Sequence, residues 1–93
     1  MDNFFEEVNR IVGILGKAHK GNVIRQIENA KLMGGTLGET FDIICSLLKT
    51  YEISNPELFD LIRKPAFELF EYAKSLGREP LANFDLAEEL DKK

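Results

Sequence analysis

One cysteine, one histidine and no long apolar run set the first limits on this 93-residue chain. With Cys45 alone, no intrachain disulfide can form, which suits a reducing compartment. Metal binding needs convergent His, Cys or carboxylate ligands, and His19 and Cys45 lie far apart without partners at ligand spacing. No segment approaches the roughly 20 apolar residues of a membrane span. The opening Met1-Asp2-Asn3-Phe4-Phe5-Glu6-Glu7 is acidic where a signal peptide is basic. The expected compartment is therefore the cytoplasm. Repeats and long linkers are also lacking, so residues 1–93 read as a single domain, with a core over 2–77 and an appendage over 78–93. A chain this short is only marginally self-sufficient, which leaves room for a homodimer.

What is present is apolar spacing at the helical period almost throughout. Asp2 is expected to cap a first helix over about 3–17, with a stripe of Phe4, Val8, Ile11 and Leu15 flanked by Phe5 and Val12. Gly13 falls on the opposite face. His19-Lys20-Gly21 reads as a turn and Asn22 as the next cap, opening a helix over about 22–33 that Gly34-Gly35 stops. Thr36-Leu37-Gly38-Glu39 is a capping-box pattern. It opens a third helix over about 37–52, whose Leu37, Phe41, Ile44, Leu48 and Tyr51 share one face while Glu39, Asp42 and Ser46 share the other. Ser54 or Asn55 caps a fourth helix that runs from Pro56 to about Leu76, with Leu58, Ile62, Leu69, Ala73 and Leu76 in its stripe and Gly77 at its end. Pro65 lies inside and is expected to kink or split that helix near Arg63. Asn83 or Asp85 starts a short fifth helix. The expectation is an all-α fold: a four-helix, up-and-down-like bundle with a Pro-kinked fourth helix and a short C-terminal helical appendage.

Phe67 fits this scheme poorly. In a straight helix it points among Arg63, Glu71 and Lys74. Cover by the tail through Leu81, Phe84, Leu86 and Leu90 is the first expectation, inward rotation at the kink the second, and contact with a partner the third.

Catalysis finds little to work with. Nucleophilic chemistry needs a base beside the nucleophile, and His19 between Lys17 and Lys20 reads as a surface turn. Cys45 flanks an apolar stripe and reads as a small core hydrophobe. The acids lie mostly on polar faces, where ordinary pKa values are expected. Gly34-Gly35-Thr36-Leu37-Gly38 opens a helix, yet Glu39-Thr40 follows where a phosphate loop needs Lys-Ser/Thr. No enzyme, metal or cofactor is expected.

The charge is unevenly spread. Residues 10–31 carry five bases, Arg10, Lys17, Lys20, Arg25 and Lys31, against Glu28 alone, whereas residues 32–91 carry twelve acids and five bases. The basic segment is the one candidate for DNA, as a helix-turn-helix-like pair. No aromatic is interleaved within it, and the acidic remainder argues against nucleic acid. Acidic surfaces instead speed encounter with basic proteins such as nucleases. Glu39 and Asp42 on the third helix, and Glu52, Glu57 and Asp60 around the next turn, are the candidate partner-binding acids. Tyr51 and Phe67 are the aromatic candidates beside them.

Gly38-Glu39-Thr40-Phe41-Asp42-Ile43-Ile44-Cys45, then Tyr51-Glu52-Ile53-Ser54, then a helix ending at Leu76-Gly77 resemble the small helical immunity proteins of Maf-type and related polymorphic-toxin systems. The resemblance spans roughly residues 28–77 and implies a protein that binds and blocks a cognate toxin without catalysis of its own. The alternatives are a small DNA-binding regulator and a dimeric adaptor. On the toxin-binding reading, charge reversal at Glu39, Asp42, Glu52 and Asp60 is expected to weaken partner capture without unfolding the domain; unchanged affinity removes that patch.

Overall fold

A computed structural model describes residues 4–91 and contains five helices: α1 (Phe4–Lys17), α2 (Gly21–Met33), α3 (Leu37–Ser54), α4 (Pro56–Ser75) and α5 (Phe84–Asp91). The cap expected at Asp2 lies outside the described residues. Among the described residues the regular structure is entirely helical.

The α1 stripe of Phe4, Val8, Ile11 and Leu15 is buried as its spacing requires. The helix ends in a reversal with His19 at φ 58°. The His19 amide donates to Gly16 O at 3.1 Å and the Lys20 amide to Leu15 O at 2.9 Å. These are the two bonds of a Schellman turn, in which glycine is the usual left-handed residue. The turn leaves the Lys20 carbonyl to accept from both Val23 and Ile24 at 3.1 Å. Helix α2 therefore starts one residue before the expected cap. Asn22 is its second residue, and no side chain caps it.

At α3 the Thr36 hydroxyl accepts from the Glu39 amide at 3.1 Å. The Glu39 carboxylate returns to the Gly35 amide at 3.2 Å, one residue earlier than the usual reciprocal bond. Leu37, expected in the stripe, is 63% exposed, because the first residue of the helix lies beyond the packed neighbours. The buried face is broad: Thr40, Phe41, Ile44, Cys45, Leu47, Leu48, Thr50 and Tyr51. That breadth follows from three neighbours, since α2, α4 and α5 all pack on α3. Asn55 ends α3 and starts α4: its amide donates to Tyr51 O at 2.9 Å and its side chain accepts from the Leu58 amide at 3.4 Å. Ser54, the other candidate cap, belongs to α3 and donates its hydroxyl to Thr50 O.

Helix α4 is unbroken from Pro56 to Ser75, so Pro65 does not split it. Pro65 and Ala66 are buried, and α1 and α3 both pack on α4. That packing outweighs the ~3 kcal/mol by which an internal proline disfavours a helix. Leu76, expected in the stripe, is the C-cap and exposed. Gly77 at φ 74° makes the second Schellman turn, with Gly77 N to Lys74 O at 3.0 Å and Arg78 N to Ala73 O at 2.9 Å.

The chain after this turn crosses α3 and delivers α5 onto α2 and α3. Arg78 pairs with Asp42 at 2.6 Å. Ser46 donates to Leu81 O at 2.5 Å, and the Asn83 amide donates to the buried Thr50 hydroxyl at 2.8 Å. Asn83 caps α5 through the amides of Asp85 and Leu86. Leu86 and Leu90 are buried, and Asp91 meets Gln26 and Arg25 on α2. The tail therefore does not lie over Phe67. That ring packs within its own helix, 5.7 Å from Phe59 and 5.9 Å from Phe70, and is 39% exposed.

Two substitutions test the turns. A Cβ at Gly34 would lie 2.3 Å from Thr40 Oγ1 and 2.6 Å from Thr40 N. Gly34→Ala is expected to cost about 1–3 kcal/mol, the range for overpacking a closed site. His19→Gly is expected to stabilise by about 0.5–1 kcal/mol by relieving the left-handed strain. Denaturant melts of the two variants read both signs.

Candidate functional site

The seven residues singled out in the sequence do not form one patch. Glu39 and Asp42 lie near the start of α3 and Glu52 near its end. The helical rise separates Asp42 from Glu52 by about 15 Å along the axis. Glu57 and Asp60 share the Glu52 end, on the first turns of α4. Phe67 lies about 10 Å further along α4 by the same rise. Tyr51 is 5% exposed and donates its hydroxyl to Gln26 Oε1 in the interior. It is a core residue rather than a surface anchor, because the third-helix stripe runs through it into the α2 contact. Burial, with the nearby Asp91 adding to it, raises the phenol's pKa above its ordinary value.

Most of the singled-out acids already have partners. Glu39 holds the Gly35 amide, Asp42 holds Arg78, Glu52 pairs with Lys49 at 3.5 Å, and Asp60 pairs with Arg63. Glu57 has no ion pair or side-chain hydrogen bond among the described residues. Reversing Glu39 would also disturb a helix start, so the fourfold reversal is not a clean test of binding.

A different surface emerges from the fold. Phe5, Leu37 and Leu76 on one side, and Leu81 and Phe84 on the other, are exposed around the Arg78–Asp42 pair, with Leu81 70% exposed. Two recesses meet at Arg78. The first, about 310 Å³, has Phe4, Phe41 and Tyr72 as walls and Phe5, Leu37 and Leu76 along its opening. Its rings pack edge-on, Phe4 to Phe41 at 4.9 Å and Phe41 to Tyr72 at 5.6 Å. That geometry suits the ring quadrupoles and keeps the walls in place. The second, about 750 Å³ and shallower, runs from Asp42 and Ser46 along residues 78–85. Glu79 and Asp85 line it, and neither carboxylate has an ion-pair partner among the described residues.

Periodicity missed this surface because Leu37 and Leu76 are terminal residues of helices, where a stripe continues in sequence after its cover has ended. A signal for the tail was available: residues 79–91 carry Glu79, Asp85, Glu88, Glu89 and Asp91 and no base.

The basic segment is largely matched by acids. Arg10 meets Glu7 at 3.3 Å and Glu68 at 3.9 Å, Arg25 meets Asp91 at 3.6 Å, and Lys31 meets Glu28 at 3.2 Å. Lys17 and Lys20 remain exposed at the α1–α2 turn. Cys45 is fully buried, and burial, reinforced by Asp42, pushes its thiol up to about 12. Among the described residues, no three His, Cys, Asp or Glu side chains gather in a group that could hold a metal ion. No described helix is long and apolar enough to cross a membrane. No family model matches the chain, and the searches of curated proteins and of solved structures found no match.

One acid departs from the ordinary pKa values expected of it. Glu7 is buried in the α1 stripe, and its Oε2 finds no hydrogen-bond donor among the described residues. Burial raises its pKa above the ordinary 4.5; the Glu68 carboxylate adds to this by hydrogen bonding and by repulsion, while Arg10 opposes it. A carboxyl whose folded pKa is raised contributes stability below its unfolded pKa and loses it as pH rises through the folded value. Glu7→Gln keeps the shape without the charge. Its melting temperature is expected to match wild type near pH 4 and to exceed it at pH 7; an equal difference at both values would refute the assignment.

Proposed function

We propose that this chain is an immunity-type protein of the cytoplasm that binds and neutralises a cognate toxin, a basic protein such as a nuclease, and acts by binding alone, without a cofactor. Its four longer helices form an up-and-down-like bundle, bent at Pro65, on which α5 is the appendage. The reading is carried by one observation: exposed apolar side chains flank the Arg78–Asp42 pair, and Glu79 and Asp85, which have no ion pair among the described residues, lie beside them. Exposed apolar surface edged by charge of one sign is how a protein surface marks a partner of the opposite sign. Nucleases present basic surfaces to their phosphate-rich substrates, so an acidic apolar face competes for the same region.

The binding acids on this reading are Glu79 and Asp85, beside Asp42, whose charge Arg78 already meets. Glu52, Glu57 and Asp60 lie at the other end of α3 and serve solvation and local pairing. The test is co-expression of the chain with the toxin encoded beside its gene, followed by affinity measurement on the purified pair. The double variant Glu79→Lys, Asp85→Lys is expected to weaken capture by about tenfold or more at low salt, with the loss shrinking as salt screens the pair. Its melting temperature should fall by no more than a few degrees: neither carboxylate has an ion pair among the described residues, and Asp85 gives up only its favourable place in the first turn of α5. Full protection of cells by the double variant, or retention of DNA by the wild-type chain at low salt, would sink the proposal.

A further inference from the structure

We infer that the recess walled by Phe4, Phe41 and Tyr72 is an anchor pocket, which receives one large apolar side chain from a partner segment whose flanking residues are lysine or arginine. This rests on the partner-binding reading and names the part of the surface that supplies its affinity.

The walls are already in place. The Phe4, Phe41 and Tyr72 rings lock one another edge-on, so an entering side chain meets a surface that needs no reordering. The opening is apolar, and Leu37 and Leu76 there leave more than half of their surface to water. An apolar side chain seated there covers both. A buried apolar anchor inside a charged rim is the arrangement that concentrates binding energy in an interface.

The charge at the rim selects the occupant. Among the described residues Arg78 is the one cation lining the pocket, and Asp42 holds its guanidinium at 2.6 Å. With that pair neutral, Glu79 and Asp85 leave the adjoining groove negative. A carboxylate ligand would have to displace Asp42 and then face both acids. A second copy of this chain would set acid against acid across the contact. A segment with an apolar residue between basic ones places its apolar group in the recess and its charges over Glu79 and Asp85.

The probes are three short peptides titrated into the full, isotope-labelled chain, with backbone amide shifts read at Gly38, Leu76 and Arg78. They are acetyl-Lys-Lys-Leu-Lys-Lys-amide, the same peptide with alanine at its centre, and the leucine peptide with glutamate flanks. The lysine-flanked leucine peptide is expected to move these amides, and the other two to bind about tenfold more weakly or less. Leu37→Lys with Leu76→Lys, both at exposed positions, should abolish the response while leaving the melting temperature near wild type. The inference is overturned if no pocket amide moves at millimolar peptide, or if the alanine peptide matches the leucine one. Self-association that Leu37→Lys, Leu76→Lys abolishes would also overturn it, since the occupant would then be a second copy. A cognate toxin held equally well by wild type and the lysine variant sinks the anchor but leaves neutralisation standing. A chain that binds the peptide yet protects against no toxin has the reverse consequence.

Discussion

Two hydroxyls on α3 hold the last part of the molecule in place. Ser46 and Thr50 are four residues apart and so lie on one face of the helix. The chain between Gly77 and Phe84 has no regular structure to satisfy its own backbone, and these side chains take its Leu81 carbonyl and its Asn83 amide. Thr50 is itself buried, so its bond to Asn83 is made where water cannot substitute. From that attachment Asn83 caps α5, α5 buries Leu86 and Leu90, and Asp91 reaches α2. The route over α3 also leaves Leu81 and Phe84 exposed beside Asp42, so that side of the exposed apolar surface depends on the same two hydroxyls.

The uneven charge along the chain becomes orderly in space. The basic stretch of α1 and α2 is met by acids from elsewhere: Glu68 of α4 beside Arg10, and Asp91 of α5 beside Arg25. Of the acids without an ion pair among the described residues, Glu79 and Asp85 lie beyond the end of α4, where the tail leaves it. These surface pairs add little to stability, typically under about 1 kcal/mol each. Their effect is on the field around the domain: Arg10, Arg25 and Lys31 are cancelled locally, whereas Glu79 and Asp85 have no ion pair among the described residues.

Helix identity was legible because the buried faces of α1, α3 and α4 repeat at the helical period, as Val8, Ile11 and Leu15 or Phe41, Ile44 and Leu48 show. Caps were legible where a side chain makes them, at Thr36 and Asn55. The start of α2 was not, because there the backbone does the capping: His19 takes the left-handed conformation and the Lys20 carbonyl accepts both amides. Leu37 and Leu76 were assigned to the core because a period carries no information about where the opposing helix stops. The tail's path was hidden for a related reason, since it follows individual hydroxyls rather than a repeating face. Tyr51 shows the remaining ambiguity. An aromatic among acids in sequence suits a surface anchor or a core stripe equally, and only the position of Gln26 on α2 decides it. Glu7 was hidden by its type, because a glutamate on an amphipathic helix is ordinarily solvated.

Cys45 gives the domain an internal clock. Its sulfur is closed off on every side and its proton is held far above physiological pH. A thiol reagent reacts with it only after α3 has parted from its neighbours, so the modification rate counts openings of the interior rather than encounters at the surface. When reaction with the exposed thiol outpaces reclosing, that rate is the opening rate itself. A bound partner that braces the α3–tail surface would slow the clock, making ligand-linked stabilisation visible as a change in time rather than in temperature.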